Sequence, residues 1–427
     1  MNSDTGHPPS LWAATASPAP ASPPLEGAAQ ADVVVIGAGY TGSSTALHLA
    51  ERGVNVTLLE AVEVGSGAGG RSMGLVNPHF RVLPSQIKKL VGEELGERMN
   101  RAFHAGSDIV FDTIARHGIE CEAVRKGTME LGNTKRGFKE LRAFYEEFAA
   151  TGAPLEWLDS DRIASITGTK RYTGGFIDRR AGSIQPLGYV RGLARAAQKK
   201  GAVLHTRSRV QSITPEGGRW RVDTSKGTIR AERVVVATDA YSDDLMPDVR
   251  DCMVPMWANM AATEPLSANL RATIMPGGEA FGDTQIVRQY YRTDQAGRLI
   301  AVTLGHLINT PLSPVRHWAE AGIRKTYPHL GEQKIVYKWE GMLGLSHDFL
   351  PSLHEPAPGF HVPNGYSGRG ITSATTVGKY LAERILGAPD SEFPLPLRAP
   401  RRARFRALRG FRYEAALHAG RLLAMVR

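Results

Sequence analysis

The 427-residue chain predicts an α/β protein, and three observations carry that prediction. A β-branched run, Asp32–Ile36, opens directly onto a glycine turn, a helix and a second strand. A second apolar run, Arg233–Val236, ends abruptly in small residues, as a parallel strand does where its carboxyl end faces a ligand. Near the other end, Asn364–Gly370 is a glycine-rich turn leading into a helix from Ile371 to about Leu386.

The first unit predicts a Rossmann-type dinucleotide site. Gly37-Ala38-Gly39-Tyr40-Thr41-Gly42 follows the strand. Gly37 permits the tight turn, Gly39 lets backbone approach a pyrophosphate, and Gly42 allows close packing of helix on strand. The helix runs to about Arg52 and stops at Gly53. Its first N–H groups and positive dipole end attract phosphate. Val54–Leu59 forms the second strand, and Glu60, followed by Ala61, ends it where a carboxylate accepts hydrogen bonds from a ribose diol. The same charge repels a 2′-phosphate, which argues against NADP.

Later segments distinguish a flavin from a nicotinamide. The loop Gly65–Gly74, with Ala68, Gly69, Gly70, Arg71, Ser72 and Met73, lets backbone lie against a flat ligand. Ala237 and Thr238 end the returning strand after a β-meander that includes Val210. Gly341 and Gly365, Gly368, Arg369, Gly370, Ile371 and Thr372 form a second anion site at a helix N-terminus. That dipole stabilises the negative charge reduction places on the N1 and O2 end of a flavin, and a nicotinamide gains none. FAD is therefore the expected cofactor.

Together these motifs resemble the D-amino-acid-oxidase-type flavoenzymes, from about Ala31 to Gly387. Ala262–Leu266, Pro276-Gly277-Gly278, Asp283-Thr284 and Tyr291-Arg292 resemble the gamma-glutamylputrescine oxidase branch in particular. The resemblance implies oxidation of an amine or amino-acid C–N bond by hydride transfer to flavin N5, with hydrolysis of the imine. It also implies an α+β substrate domain on an antiparallel sheet, here Gly127–Leu131, Pro255–Thr263, Ile286–Arg292 and Leu299–Thr303. The expected division gives FAD-binding segments 31–105, 175–250 and 339–390, substrate segments 106–174 and 251–338, and a tail from 391.

Several residues depart from the family pattern. Gly69, Ser72, Met73 and Leu75 alter the second glycine loop, and Arg369 stands where relatives often carry histidine. No lysine lies between Arg298 and Thr303, where sarcosine oxidases place one for reaction with dioxygen. No cysteine stands near the C-terminal motif for a covalent link, so noncovalent FAD is expected. The electron acceptor, dioxygen or another, stays open. A peroxide-forming oxidase, a dehydrogenase serving a quinone or carrier, and a flavin-bound assembly protein are the competing readings.

His79, Asn77, Tyr290, Arg292, Tyr366 and Arg369 are candidates for the substrate cavity. Arg292 suits a bidentate grip on a carboxylate, against the alternative of a solvated or aromatic-packed arginine. Strand alternation places Tyr290 with Arg292 and Gln289 with Tyr291, so one pair faces the cavity. For His79, catalytic base competes with satisfied loop histidine. The catalytic set is thus His79, Arg292 and Tyr366, with no metal.

Bulk properties narrow the function classes. No apolar run reaches the length of a membrane span. Two cysteines, Cys121 and Cys252, suit a reducing cytoplasm. The formal charge is +10, and from Ser391 onward nine arginines stand against Glu392 and Glu414, so the basicity belongs mostly to the tail. Peripheral contact with acidic lipid or RNA competes there with a surface helix bearing snorkelling arginines. No nucleic-acid module accompanies it. The first thirty residues, rich in alanine, proline and serine, read as a disordered leader.

Overall fold

Parallel strands buried on both faces organise the first sheet. In a computed structural model, which describes residues 6–285, 287–305 and 317–400 with Ala415 and Ala419, Gly27–Ile36 lies at its centre. Val56–Leu59 and Val203–His205 follow on one side, Gly227–Val236 and Phe360–Asn364 on the other, all parallel. Ser352–Ala357 closes that edge antiparallel. Val33, Val34 and Val35 are each at most 1% exposed, because helices cover one face of the strands and the meander the other. The meander is Val210–Glu216 and Arg219–Thr224, returning through Gly227–Val236.

Tyr40–Ala50, Pro186–Lys199 and Gly370–Ile385 pack together on the helical side. Gly378 lets two of these helices touch: a Cβ there would stand 2.5 Å from the Cβ of Ser44, whose hydroxyl donates to the Thr375 carbonyl at 2.8 Å.

The second sheet runs Ile335–Leu345, Val254–Pro265, Arg298–Leu304, Gln289–Thr293, Ala280–Asp283, Thr128–Gly132, Gly174–Asp178 and Leu155–Asp159. Every neighbour pair is antiparallel except Ala280–Asp283 on Thr128–Gly132. Phe281, Tyr291, Tyr327 and Met129 build its own core on the face away from the first sheet.

This arrangement shifts three expected boundaries. Gly174–Asp178 pairs with Thr128–Gly132 and Leu155–Asp159, so it belongs to the second sheet rather than to a segment starting at 175. Ile335–Leu345 stays in that sheet through Leu345, past the expected division at 339. Gly106–His117 packs on Gly370–Ile385 and so joins the first layer. The third substrate-sheet strand starts at Gln289; Ile286 lies outside the described residues.

The expected disordered leader is the largest correction. From Gly6 onward it is an ordered segment lying across the first layer. Ser10 caps a short helix, Leu11–Thr15, in which Leu11 and Trp12 are fully buried. Proline offers no N–H, so an extended proline-rich segment needs partners mainly for its carbonyls. Arg191, Arg195 and Gln198 donate to the carbonyls of Ser17, Pro18 and Ala21 at 2.8, 3.0 and 2.9 Å. Strand pairing then begins at Gly27, four residues before the expected Ala31. The basic tail from Arg401 lies outside the described residues apart from two alanines.

Candidate functional site

The carboxyl ends of the first sheet and one face of the second enclose a cavity of 2090 Å³. That exceeds the roughly 300–1,000 Å³ of ordinary small-ligand sites, as an extended ligand requires. Two uncapped helix N-termini, at Tyr40 and Gly370, open onto it.

The first turn is built to admit a ligand's backbone-proximal groups. Gly37 has φ +101°, which side chains rarely adopt, and a Cβ on Gly42 would stand 1.9 Å from the Gly37 carbonyl. Glu60 accepts from the N–H groups of Ala38 at 2.9 Å and Val62 at 3.0 Å. Burial raises its pKa against the opposing pull of those N–H donors. The Tyr40 phenol donates to the Gly69 carbonyl and thereby ties the first turn to the second glycine loop.

The far turn is fixed from two sides. Asp239, at φ +43°, accepts the Gly365 N–H at 2.8 Å. The hydroxyls of Tyr366 and Thr41 share a hydrogen bond of 2.7 Å.

Among the expected cofactor contacts, Gly37, Gly39, Tyr40, Thr41, Glu60 and Ala61 line the cavity. So do Ala68, Gly69, Arg71, Ser72, Met73, Val210, Ala237, Thr238, Gly341, Gly368, Arg369, Gly370 and Ile371, together with Tyr366. Ala38, Gly42, Gly70, Gly365 and Thr372 sit behind this lining and shape the turns.

Two expected catalytic residues stand elsewhere. His79 packs against the rings of Phe144 and Phe148, its Nδ1 at 3.2 Å from the Phe80 carbonyl. Burial, and then Arg369, push its pKa down to about 4, so it is a neutral core histidine. Arg292 is 1% exposed, donates to the carbonyls of Ile184, Met73 and Thr293, and lies over the Trp12 ring. Tyr290 and Arg292 do share the inward face, but the carbonyls of Ile184, Thr293 and Met73 take up the donors of Arg292.

Arg81 was missed from sequence because it lies beyond the glycine motifs, in an irregular stretch. Its guanidinium lines the cavity beside Gly368, 3.3 Å from where a Cβ there would be. No hydrogen-bond acceptor or ion-pair partner meets it among the described residues. Tyr290 nearby favours its charge, but burial with Arg369 and Arg288 outweighs this and lowers its pKa. Around the same cavity the Tyr290 hydroxyl, both amide atoms of Asn259 and Nε of Arg369 are buried without protein partners among the described residues. Glu130 accepts from Arg369 at 3.2 Å and lies 3.9 Å from Arg288. Burial works against its charge, but these arginines outweigh it and hold its pKa below the ordinary value.

The family model for FAD-dependent oxidoreductases matches residues 32–384. The chain belongs to this FAD-dependent oxidoreductase family. A gamma-glutamylputrescine oxidoreductase from Escherichia coli is 31% identical over 392 residues, covering 90% of each chain. A probable oxidoreductase, OrdL, from Rhizobium meliloti is 31% identical over 88% of each. In fold, this FAD-dependent oxidoreductase is similar to glycine oxidase from Geobacillus kaustophilus, with TM-score 0.71 and 20% identity over 84% of this chain and 96% of that one. L-proline dehydrogenase from P. horikoshii gives 0.73 and 21%, over 86% and 97%.

The protein is thus an FAD-dependent enzyme oxidising amine or amino-acid C–N bonds, and the noncatalytic reading is not favoured. The residues present fit FAD. The Gly42 position excludes any side chain, open space lies before Gly39, and two uncapped helix N-termini face the cavity. Neither cysteine lines it. Among the described residues, no helix is long and apolar enough to cross a membrane.

Proposed function

We propose that this oxidoreductase acts on an amine that also carries a carboxylate, and that Arg81 receives the carboxylate. One observation carries the reading: a cavity-lining guanidinium without a protein acceptor among the described residues, beside the unsatisfied groups of Tyr290 and Asn259. A half-buried cation facing a cavity favours an anionic partner, and a carboxylate fits a guanidinium with two parallel hydrogen bonds. The Tyr290 hydroxyl and the Asn259 amide suit the remaining polar atoms of such a substrate.

FAD, when bound, supplies the two-electron oxidant. Gly37–Gly42, Glu60-Ala61, Ala68–Met73, Val210, Ala237-Thr238 and Gly341 would hold it, with the Gly370 helix end at its redox-active ring. The chain's further task is orientation. The walls at Trp257, Met260 and Val302 exclude water. A gamma-glutamyl amine, with an oxidisable amine and a carboxylate, meets both demands, in keeping with the relative named for gamma-glutamylputrescine. We take dioxygen as the acceptor and, with only two cysteines in the sequence, the cytoplasm as the compartment.

The test is anaerobic bleaching of the FAD-loaded protein by carboxylate-bearing amines and by matched amines lacking the carboxylate, followed by air. Preferential bleaching by the first group, weakened 10- to 100-fold in Arg81→Ala, is expected, with recolouring and peroxide in air. Equal bleaching by both groups, unaffected by Arg81→Ala, rejects the carboxylate reading, and persistent bleaching in air rejects dioxygen.

A further inference from the structure

Taking the cavity as the FAD site, we infer that Gly6–Leu25 is a cofactor-retaining strap and that Trp12 is its positioning residue. The strap lines the cavity at one place and braces its glycine loop from behind at another. Gly6–Pro9 line it beside the segment that follows Glu60. A Cβ on Gly6 would stand 2.8 Å from Cγ of Glu63, and the half-buried His7 imidazole bonds to the Val64 backbone. This is the end of the site where a ribose-binding acid stands, so these four residues close the adenosine half.

The second place is the glycine loop. The Trp12 indole N–H donates to the Ser72 carbonyl at 2.8 Å, and the Trp339 indole N–H donates to the Arg71 carbonyl at 3.0 Å. The two indoles meet edge to face, with centroids 5.5 Å apart. Consecutive carbonyls of the loop are therefore clipped by two aromatic donors from opposite ends of the chain. Beneath them Arg292 takes the next carbonyl, that of Met73.

Ala68–Gly70 is a single short turn and Arg71–Gly74 has no regular structure, so the loop's own backbone does little to fix it. Ordering glycine-rich backbone costs conformational entropy. External clips pre-order the loop and lower what a ligand must supply on binding.

Titrating the full-length apoprotein with FAD, and separately with ADP as a probe of the adenosine half, tests this. Trp12→Phe keeps an aromatic ring and removes the N–H. It should weaken FAD about tenfold, the worth of one buried hydrogen bond, while ADP affinity changes less than twofold. Deletion of residues 1–9 spares Trp12 and should weaken FAD and ADP alike. Thermal unfolding of each apoprotein reports folding separately. Trp12→Phe with unchanged FAD affinity, or with FAD and ADP reduced equally, overturns the positioning role. Unchanged affinities after the deletion overturn the closure of the adenosine half. Wild-type apoprotein that fails to bind FAD counts against the cavity reading instead.

Discussion

The hydroxyls of Tyr366 and Thr41 share a 2.7 Å hydrogen bond between residues 325 positions apart. Thr41 belongs to the first turn of one helix and Tyr366 to the approach to another, so this bond joins the two helix ends that face the cavity. Burial raises the pKa of the phenol well above its usual range, so Tyr366 stays protonated.

Tyr366→Phe should therefore lower stability by about 1–2 kcal/mol, the net worth of the bond plus an unpaired threonine hydroxyl. Denaturant unfolding measures it. A change below about 0.3 kcal/mol would mean that the two turns are held together by other contacts.

His79 makes stability depend on pH. In the native protein its ring stays neutral down to about pH 4, whereas the unfolded chain takes up the proton near 6.5. The unfolded state binds more protons in that window, so its stabilising contribution is complete above pH 6.5. It is lost as pH falls toward 4, to a total on the order of 3 kcal/mol. His79→Phe, beside Phe144 and Phe148, should flatten this slope. Parallel stability profiles for both proteins would reject the assignment.

Arg292 should behave as a structural cation. Arg292→Met leaves the Ile184 and Met73 carbonyls without their donor and removes the contact with Trp12. A loss of about 2–4 kcal/mol is expected, with the preference for carboxylate-bearing over plain amines unchanged in FAD-loaded protein. Selective loss of the carboxylate-bearing substrates would return Arg292 to the substrate site.

Most residues that the sequence assigns to a cofactor line the cavity, because the requirements behind that assignment are local. Gly37, Gly42 and Glu60 stand at spacings set by one strand–turn–helix–strand unit, and Gly368–Gly370 by one helix end. The substrate half depends on which loop passes over which strand. Alternation put Tyr290 and Arg292 on one face, but it could not show that the Ile184 and Met73 carbonyls would take up Arg292. Nor does any periodicity mark Arg81. The leader was misread because alanine and proline composition reports weak self-association. Its anchors are a few burials, Leu11 and Trp12, and side-chain donors from Arg191 to His205.

The placement of Trp12 has a consequence for synthesis on the ribosome. Trp12 leaves the exit tunnel early, yet its partner Trp339 is made 327 residues later. At ~5–20 residues per second, that interval is roughly 16–65 s. During it the indole has neither its aromatic neighbour Trp339 nor the complete sheet beneath it, so this segment docks long after it is made. A composition poor in strand formers suits that wait, since it gives the nascent segment little tendency to pair with other chains.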